Sequence, residues 1–316
     1  MNYISASKTA KKWGVSSALV RKYCRDNRIP DARFRDGAWQ IPDDAEKPEP
    51  LVDVRFAPAV SPLAAKLMRQ KKKKNFHGLY DYVQIYLTYS SGRMASSRLT
   101  RNQVASIFKK GKVKESFEPM KVSDLIETMN HCVCIDYIID HVSQPLSQRM
   151  IMQLHYMLMF GTVDQRRRRV TPGVYRGKNF VLRNRSLPPA DRIQPFLKEL
   201  IHEYESKKEI GRTEILDFHV RFEKICPFED GNGRIGRLIM FKECLRHNVM
   251  PFVIDDKHRK QYLVGIKEWD ADHMTLLQVV DEAQERFKAQ IALQKLGEYR
   301  RFDYLYEPEE ESCYED

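Results

Sequence analysis

The residues best equipped for chemistry lie together in the run Ile225 to Phe241, ICPFEDGNGRIGRLIMF. Pro227 turns the chain, Gly231-Asn232-Gly233 follows, and Ile235, Leu238, Ile239 and Leu245 then repeat at helical spacing. Glycines at a helix start let backbone N–H groups approach a ligand with no Cβ in the way. Those first N–H groups have no partner inside the helix, and the dipole makes that end an anion site. Asp230, just ahead of the turn, is a candidate ligand for a hard cation. Arg234 and Arg237, three apart, share one face of the first turn. A carboxylate, a nest of N–H groups and two guanidinium forks describe a pocket for a metal-bound polyphosphate. No Gly-Lys-Ser/Thr follows, so this is not a Walker A loop.

The stretch PFEDGNGRIGR resembles the signature HPFx(D/E)GNGRxxR of the Fic (filamentation induced by cAMP) family at every position but the first, where Cys226 replaces the family's histidine. The resemblance spans about residues 75 to 290 and is closest from 219 to 237. It implies a protein adenylyltransferase, moving AMP from ATP to a Ser, Thr or Tyr hydroxyl of a target protein and releasing pyrophosphate. Carried over by position, Asp230 would bind Mg²⁺, and Gly231, Asn232 and Gly233 would form the anion nest. Arg234 would grip the β-phosphate and Arg237 the γ-phosphate, while Phe228 anchors the loop. Arg259 and Tyr262 sit where relatives carry an aromatic beside the adenine, which places Tyr262 among the nucleotide-binding residues.

Cys226 falls where the resemblance implies the general base. Imidazole suits that task because its pKa of ~6.5 lies near working pH. A thiol with a reference pKa of ~8.5 is mostly protonated and cannot accept the proton. Loss of general-base assistance typically costs about 10²–10⁴-fold. The expectation is a site that binds nucleotide and transfers AMP feebly or not at all. His219, seven residues before Cys226, is ~10 Å away along a helix, too far to replace it. His219 and Phe222 match the family's H-x-x-F, and a structural role is expected for His219. Three readings stay open: an impaired adenylyltransferase, a catalytically inactive nucleotide-sensing DNA-binding regulator, and a different transfer such as phosphocholine or phosphate addition.

Two further stretches resemble family features. Gly173, Tyr175 and Arg176 match the G-x-[YF]-R that precedes a β-hairpin flap, and with Phe180-Val181-Leu182 they suggest a short two-stranded segment. In the family this hairpin registers an extended piece of the target by strand addition. Ser96-Ser97 resembles the start of an inhibitory (S/T)xxxE(G/N) motif, yet Thr100 stands at the glutamate position. No acidic residue lies between Tyr82 and Glu115, so no local carboxylate is expected on Arg237.

The elements that must position these residues follow from the rest of the chain. Its 316 residues allow about two domains. No run approaches the ~20 apolar residues of a membrane span, and the N-terminus lacks a signal peptide's apolar region, so a cytoplasmic protein without a membrane partner is expected. Six cysteines without metal-type pairing read as reduced thiols. A net charge of +11 favours a polyanionic partner.

Residues 1–48 read as helix, Gly14 turn, helix and a hairpin at Asp36-Gly37, the order of a winged helix-turn-helix, similar to excisionase/MerR-like modules. Its second helix would present Arg21, Lys22 and Arg25 to the DNA major groove, with Arg33 and Arg35 of the wing on phosphates. Residues 49–74 read as a Pro-rich and basic linker, 75–296 as the Fic domain with its preceding helices, and 297–316 as an acidic tail. Helices are expected over 78–94, 122–142, 146–160, 188–206 and 213–225. The Met-rich stripe of 146–160 reads as core packing, and His155 on it as a hydrogen-bonded core histidine. The fold class is mainly α: a Fic-type helical core with a β-hairpin flap, plus a small N-terminal winged helix-turn-helix. A homodimer is left open.

Overall fold

The computed structural model describes residues 3–25, 29–35, 37–48, 60–73, 77–113, 120–177 and 187–295. It divides into two units, Met1–Pro58 and Ala59–Asp316.

The first unit opens with a strand that the sequence reading did not expect, β1 (Tyr3–Ser5). Ser5 ends it and caps α1 (Ala6–Trp13), its side chain accepting from the Lys8 N–H. Gly14 closes α1 in the left-handed region, φ +65°, where a Cβ is penalised. Ser16 Oγ accepts from the Leu19 N–H at 3.2 Å and starts α2 (Ser17–Arg25). β2 (Arg33–Arg35) and β3 (Ala38–Pro42) pair antiparallel around Gly37, with Arg35 opposite Ala38, and β1 adds to the other side of β3. Val20, Tyr23, Ile29 and Ile41 are buried between the helices and this three-stranded sheet.

The second unit is helical. α3 (Pro62–Lys72) occupies residues that composition assigned to the linker. Proline is tolerated at the first helical turn, Ser61 caps it, and the lysines fall at the C-terminal end where cations suit the dipole. Ala64 and Leu67 point inward, and Ser61 Oγ donates to Leu245 O at 2.6 Å, so this helix belongs to the core.

α4 (Leu79–Met94) is followed by α5 (Arg101–Lys110), which starts with a Thr100/Gln103 capping box. Thr100 thus caps a helix at the position where the compared motif has its glutamate. α6 (Val122–Asp140) packs on α7 (Gln148–Met159), and a four-residue turn of helix, α8 (Val163–Arg166), follows. α9 (Ile193–Glu205), α10 (Arg212–Ile225) and α11 (Asn232–Arg246) come next, then α12 (Arg259–Glu268) and α13 (Met274–Lys295). A large core runs through the unit beside a smaller cluster of Ile85, Tyr89, Leu99, Val104 and Ile107, and α11 is almost wholly buried along its length. The hairpin expected around Phe180-Val181-Leu182 and the acidic tail lie outside the described residues.

Candidate active site

α10 ends at Cys226, which adopts φ +49°, ψ +63° while its N–H bonds Phe222 O at 3.0 Å. A non-glycine residue in this region is uncommon and strained by roughly 1–3 kcal/mol, a pattern concentrated at functional sites. The loop then reaches Gly231 (φ +81°), the N-cap of α11. A Cβ on Gly231 would meet Leu158 Cδ2 at 3.3 Å and Met159 Sδ at 3.4 Å, so only glycine allows both the turn and the contact with α7.

Three groups hold this loop. Phe228 is fully buried and stacks on His155, with centroids 3.8 Å apart and planes 7° off parallel. His155 accepts from the Gly173 N–H at Nδ1 (2.9 Å), which leaves Nε2 to donate to Asp230 O (3.2 Å). One neutral tautomer is therefore satisfied on both sides, a hydrogen-bonded core histidine that also ties the motif to the segment before residue 177.

Asn232 is the second tie. Its Oδ1 accepts from Phe228 N–H (3.0 Å) and its Nδ2 donates to Phe228 O (2.8 Å) and Cys226 Sγ (3.3 Å). Arg176 is the third: Nε donates to Cys226 O (2.8 Å), Nη2 to Pro188 O (2.7 Å), and its backbone N–H to Pro227 O (2.8 Å). A buried cation thus takes the carbonyl where α10 ends and clips together the two ends of the 177–187 stretch. Gly173 (φ +74°) packs its Cα side against Tyr156, and the Tyr175 hydroxyl lies 2.9 Å from Gln148 Oε1. Burial pushes the Tyr175 phenol up to about 12. These three residues precede the stretch where the flap is expected, and Tyr175 and Arg176 spend their polar groups inside the chain.

A cleft of about 220 Å³ opens at the N-terminus of α11. Asp230, Gly231, Gly233, Arg234, Arg237 and Tyr262 line it. No side chain caps α11, so its first N–H groups are not consumed by a serine or aspartate cap of the usual kind. Cys226 and Asn232 are not among the lining residues, and Cys226 is only 4% exposed.

Arg237 comes off the second turn of α11 and reaches α4. Its Nε lies 3.0 Å from Ser91 Oγ and its Nη2 3.2 Å from Ser91 O. That carbonyl is available because the Ala95 N–H turns back to Gly92 O at the end of α4. A helix C-terminus thus orients the guanidinium with neutral acceptors. Glu223 on α10 also lines the cleft, and a Cβ on Gly233 would sit 3.0 Å from Arg237 Nη1 and 3.5 Å from Glu223 Oε1. A carboxylate therefore does approach Arg237, from a helix that the local sequence comparison did not consult.

Arg234 is bound more tightly. It is held by Glu127 of α6 through Nη1 and by Asp230 through Nη2 at 2.9 Å, with only 6% of its side chain exposed. Burial alone would lower its pKa, but the two carboxylates raise it and keep it charged. Asp230 Oδ1 accepts from the Gly231 N–H at 2.6 Å. Among the described residues no group of three or more His, Cys, Asp or Glu could hold a metal ion. A cation at the half-exposed Asp230 would therefore take one carboxylate from the protein and its other ligands from phosphate and water, a mode that suits Mg²⁺.

Tyr262 lines the cleft with 1% of its surface exposed, and its hydroxyl lies 2.5 Å from His219 Nε2. Gly236, next to Arg237, is glycine because a Cβ there would stand 2.6 Å from the His219 ring. Met94, Ala95, Leu263 and Ile266 supply the apolar lining, and Arg259 adds a cation.

Three buried histidines make the unit acid-sensitive. Burial first, then nearby arginines, push His131 and His219 down to about 3, and burial pushes His155 down to about 4. In the unfolded chain each titrates near ~6.5. Between those limits the unfolded state binds protons that the fold refuses, so the stabilisation is complete above ~6.5 and lost as pH falls. Each histidine contributes a slope of about 1.4 kcal/mol per pH unit in that window. Urea midpoints are expected to drop steeply from pH 6.5 to 4.5, whereas a flat profile would contradict the buried neutral tautomers.

Residues 145–244 match the Fic/DOC family model. Solved structures agree over a longer stretch. A Fic domain-containing signalling protein from Bacteroides thetaiotaomicron aligns with a TM-score of 0.58 at 20% identity, over 73% of this chain and 94% of that one. Fic-1 from C. elegans aligns at 0.60 and 16% identity, over 74% and 72%. A Fic family protein from Desulfovibrio desulfuricans gives 0.53 and 20%, over 75% and 76%. At these identities the likeness establishes the Fic fold. No curated protein matches the chain. Fic proteins generally transfer nucleotide-derived groups, and residues 145–244 include the stretch from Pro227 to Arg237.

In the first unit, Arg21 and Arg35 are exposed, and Arg21 bonds back to Ser17. Arg33 instead stacks over the Tyr3 ring at 3.7 Å, a contact that depends on the unexpected β1. The side chains of Lys22 and Arg25 lie outside the described residues. Among the described residues no helix is long and apolar enough to cross a membrane.

Proposed function

We propose that the cleft at the start of α11 binds ATP with Mg²⁺ and that the Fic/DOC domain is a protein adenylyltransferase, impaired by Cys226, acting on a Ser, Thr or Tyr hydroxyl of a target protein. The observation that carries this reading is the convergence of Asp230, Arg234, Arg237 and the uncapped helix end on one cleft. Arg237, held in place by Ser91, directs positive charge at the terminal phosphates without a partner anion of its own on α4. Arg234 supplies the second fork, and the helix end supplies N–H donors for the phosphate oxygens. Mg²⁺ at Asp230 would neutralise phosphate charge as the α-phosphorus is attacked.

A second reading is favoured by the position of Cys226. Its sulfur receives Asn232 Nδ2 inside the loop and is absent from the cleft lining, so a target hydroxyl in the cleft finds no base there. On that reading the domain senses nucleotide and the first unit carries the response to DNA, with Arg21 and Arg35 facing solvent.

Calorimetry with Mg·ATP tests the shared premise. Binding is expected for the chain as it stands and, since a charge-assisted bond is worth ~1.5–3 kcal/mol, Arg237→Ala should weaken it by roughly 10–100-fold. No heat and no rise in melting temperature with the unmodified chain would remove both readings.

A further inference from the structure

We infer that Glu127 is a positioning residue of the phosphate site: it is the standing counter-ion of Arg234 that lets Asp230 leave for a cation. The inference rests on the nucleotide reading above and names a residue that the motif does not contain. Arg234 is nearly inaccessible to solvent and is shared between two carboxylates. The two approach it from different hollows. Asp230 lines the open cleft, whereas Glu127 lines a neighbouring hollow of about 20 Å³ with His131, Thr128 and Asp124; Arg234 and Ala95 border both.

This placement decides between two roles. A competitor for phosphate would have to occupy the cleft, where the ligand goes, and Glu127 does not line it. Glu127 binds Arg234 from behind and leaves the cleft side to Asp230 or to a phosphate. When Asp230 turns to a cation, Glu127 keeps the buried guanidinium paired whether or not a phosphate has taken the place of Asp230. Without Glu127, the cation must draw Asp230 away from a buried charge whose one other anion would be the incoming phosphate, which is disfavoured. Carboxylates behind a ligating group commonly tune metal affinity in this way, by about 10–100-fold.

The test compares Glu127→Gln with the unmodified chain by calorimetry, using ATP in excess Mg²⁺ and ATP in EDTA. The expected result is a loss of about tenfold or more for Mg·ATP, with metal-free ATP bound equally well or better, because a negative charge has been removed near the phosphates. In an Asp230→Asn background the metal-specific loss should vanish. Equal weakening of both forms, or no change, would reduce Glu127 to a packing residue and overturn the inference. Tightening of both would make it a competitor and overturn it as well. If the unmodified chain binds neither form, the nucleotide reading itself fails, which is a different outcome. Melting temperatures report folding of each variant. Should the Gln form not fold, Glu127→Asp, which keeps the charge on a shorter arm, is expected to show the same metal-specific loss at smaller amplitude.

Discussion

Replacing Cys226 by histidine is expected to raise transfer of label from α-labelled ATP to protein, self-labelling included, by about 10²–10⁴-fold, the usual worth of a general base. The backbone already suits the change. Position 226 has φ +49°, a region in which histidine is several-fold enriched among non-glycine residues. Asn232 Nδ2, now 3.3 Å from the sulfur, is a donor that an imidazole nitrogen could accept. The site is tight, however, since Cys226 is buried beneath Asn232 and the Phe228 carbonyl. The larger ring must turn toward the cleft, which is also where a base is useful. Label in the histidine form alone would identify a complete transfer site lacking its base. Label in neither form, with Mg·ATP binding intact, would leave the nucleotide-sensing regulator.

The largest loss of stability is expected at the other end of α11, for Glu243→Ala. Glu243 and Lys242 are 1% and 0% exposed in their side chains and paired at 2.6 Å. Glu243 also receives Arg246 Nη1 (3.1 Å), the Tyr204 hydroxyl (3.1 Å) and His247 Nε2 (3.2 Å). Burial pushes its carboxyl up, but Lys242, His247 and Arg246 together outweigh burial and hold it at about 2. A carboxyl depressed in the fold stabilises above its unfolded pKa and loses that contribution as pH falls from ~4.5 toward about 2.

Deleting Glu243 leaves Lys242 in the core with the Gln144 carbonyl as its hydrogen-bond partner among the described residues and the Glu205 charge farther off. Removing one partner of a buried pair typically costs about 3–5 kcal/mol. For a domain of this size that is a fall in melting temperature of roughly 10 °C. The double variant Lys242→Met with Glu243→Leu should recover much of the loss, because replacing both charges by apolar groups is often neutral. Equal losses for the single and double variants would mean that the network matters through Arg246 and Tyr204 rather than through the buried lysine.

Much of the site was legible because its signals are local. The GNG turn, the uncapped helix start and the two arginines lie within eight residues, and their geometry follows from helix periodicity and glycine's freedom at φ +81°. Helices α4, α6, α7 and α10 were readable within a few residues because their apolar positions repeat over several turns. Helix α3 was missed because Pro62 and a lysine run resemble a linker by composition. Proline at the first turn and cations at the last are equally what a helix accepts. Strand β1 was missed because three residues are too few to show alternation, and its existence depends on pairing with β3.

By itself, then, the sequence determined which residues form the glycine turn at the start of α11, because a helix start with glycines is set by residues within one or two turns of each other. The tertiary structure decided how those residues are used. Arg237 is oriented by Ser91, 146 positions away, and Arg234 by Glu127, 107 positions away. Whether the Cys226 sulfur faces the cleft or the loop depends on Asn232, Phe228 and Arg176 acting together. Such partners meet only when helices pack, and the pairing of a buried charge is set by which helix arrives beside it. Spacing along the chain carries no record of that.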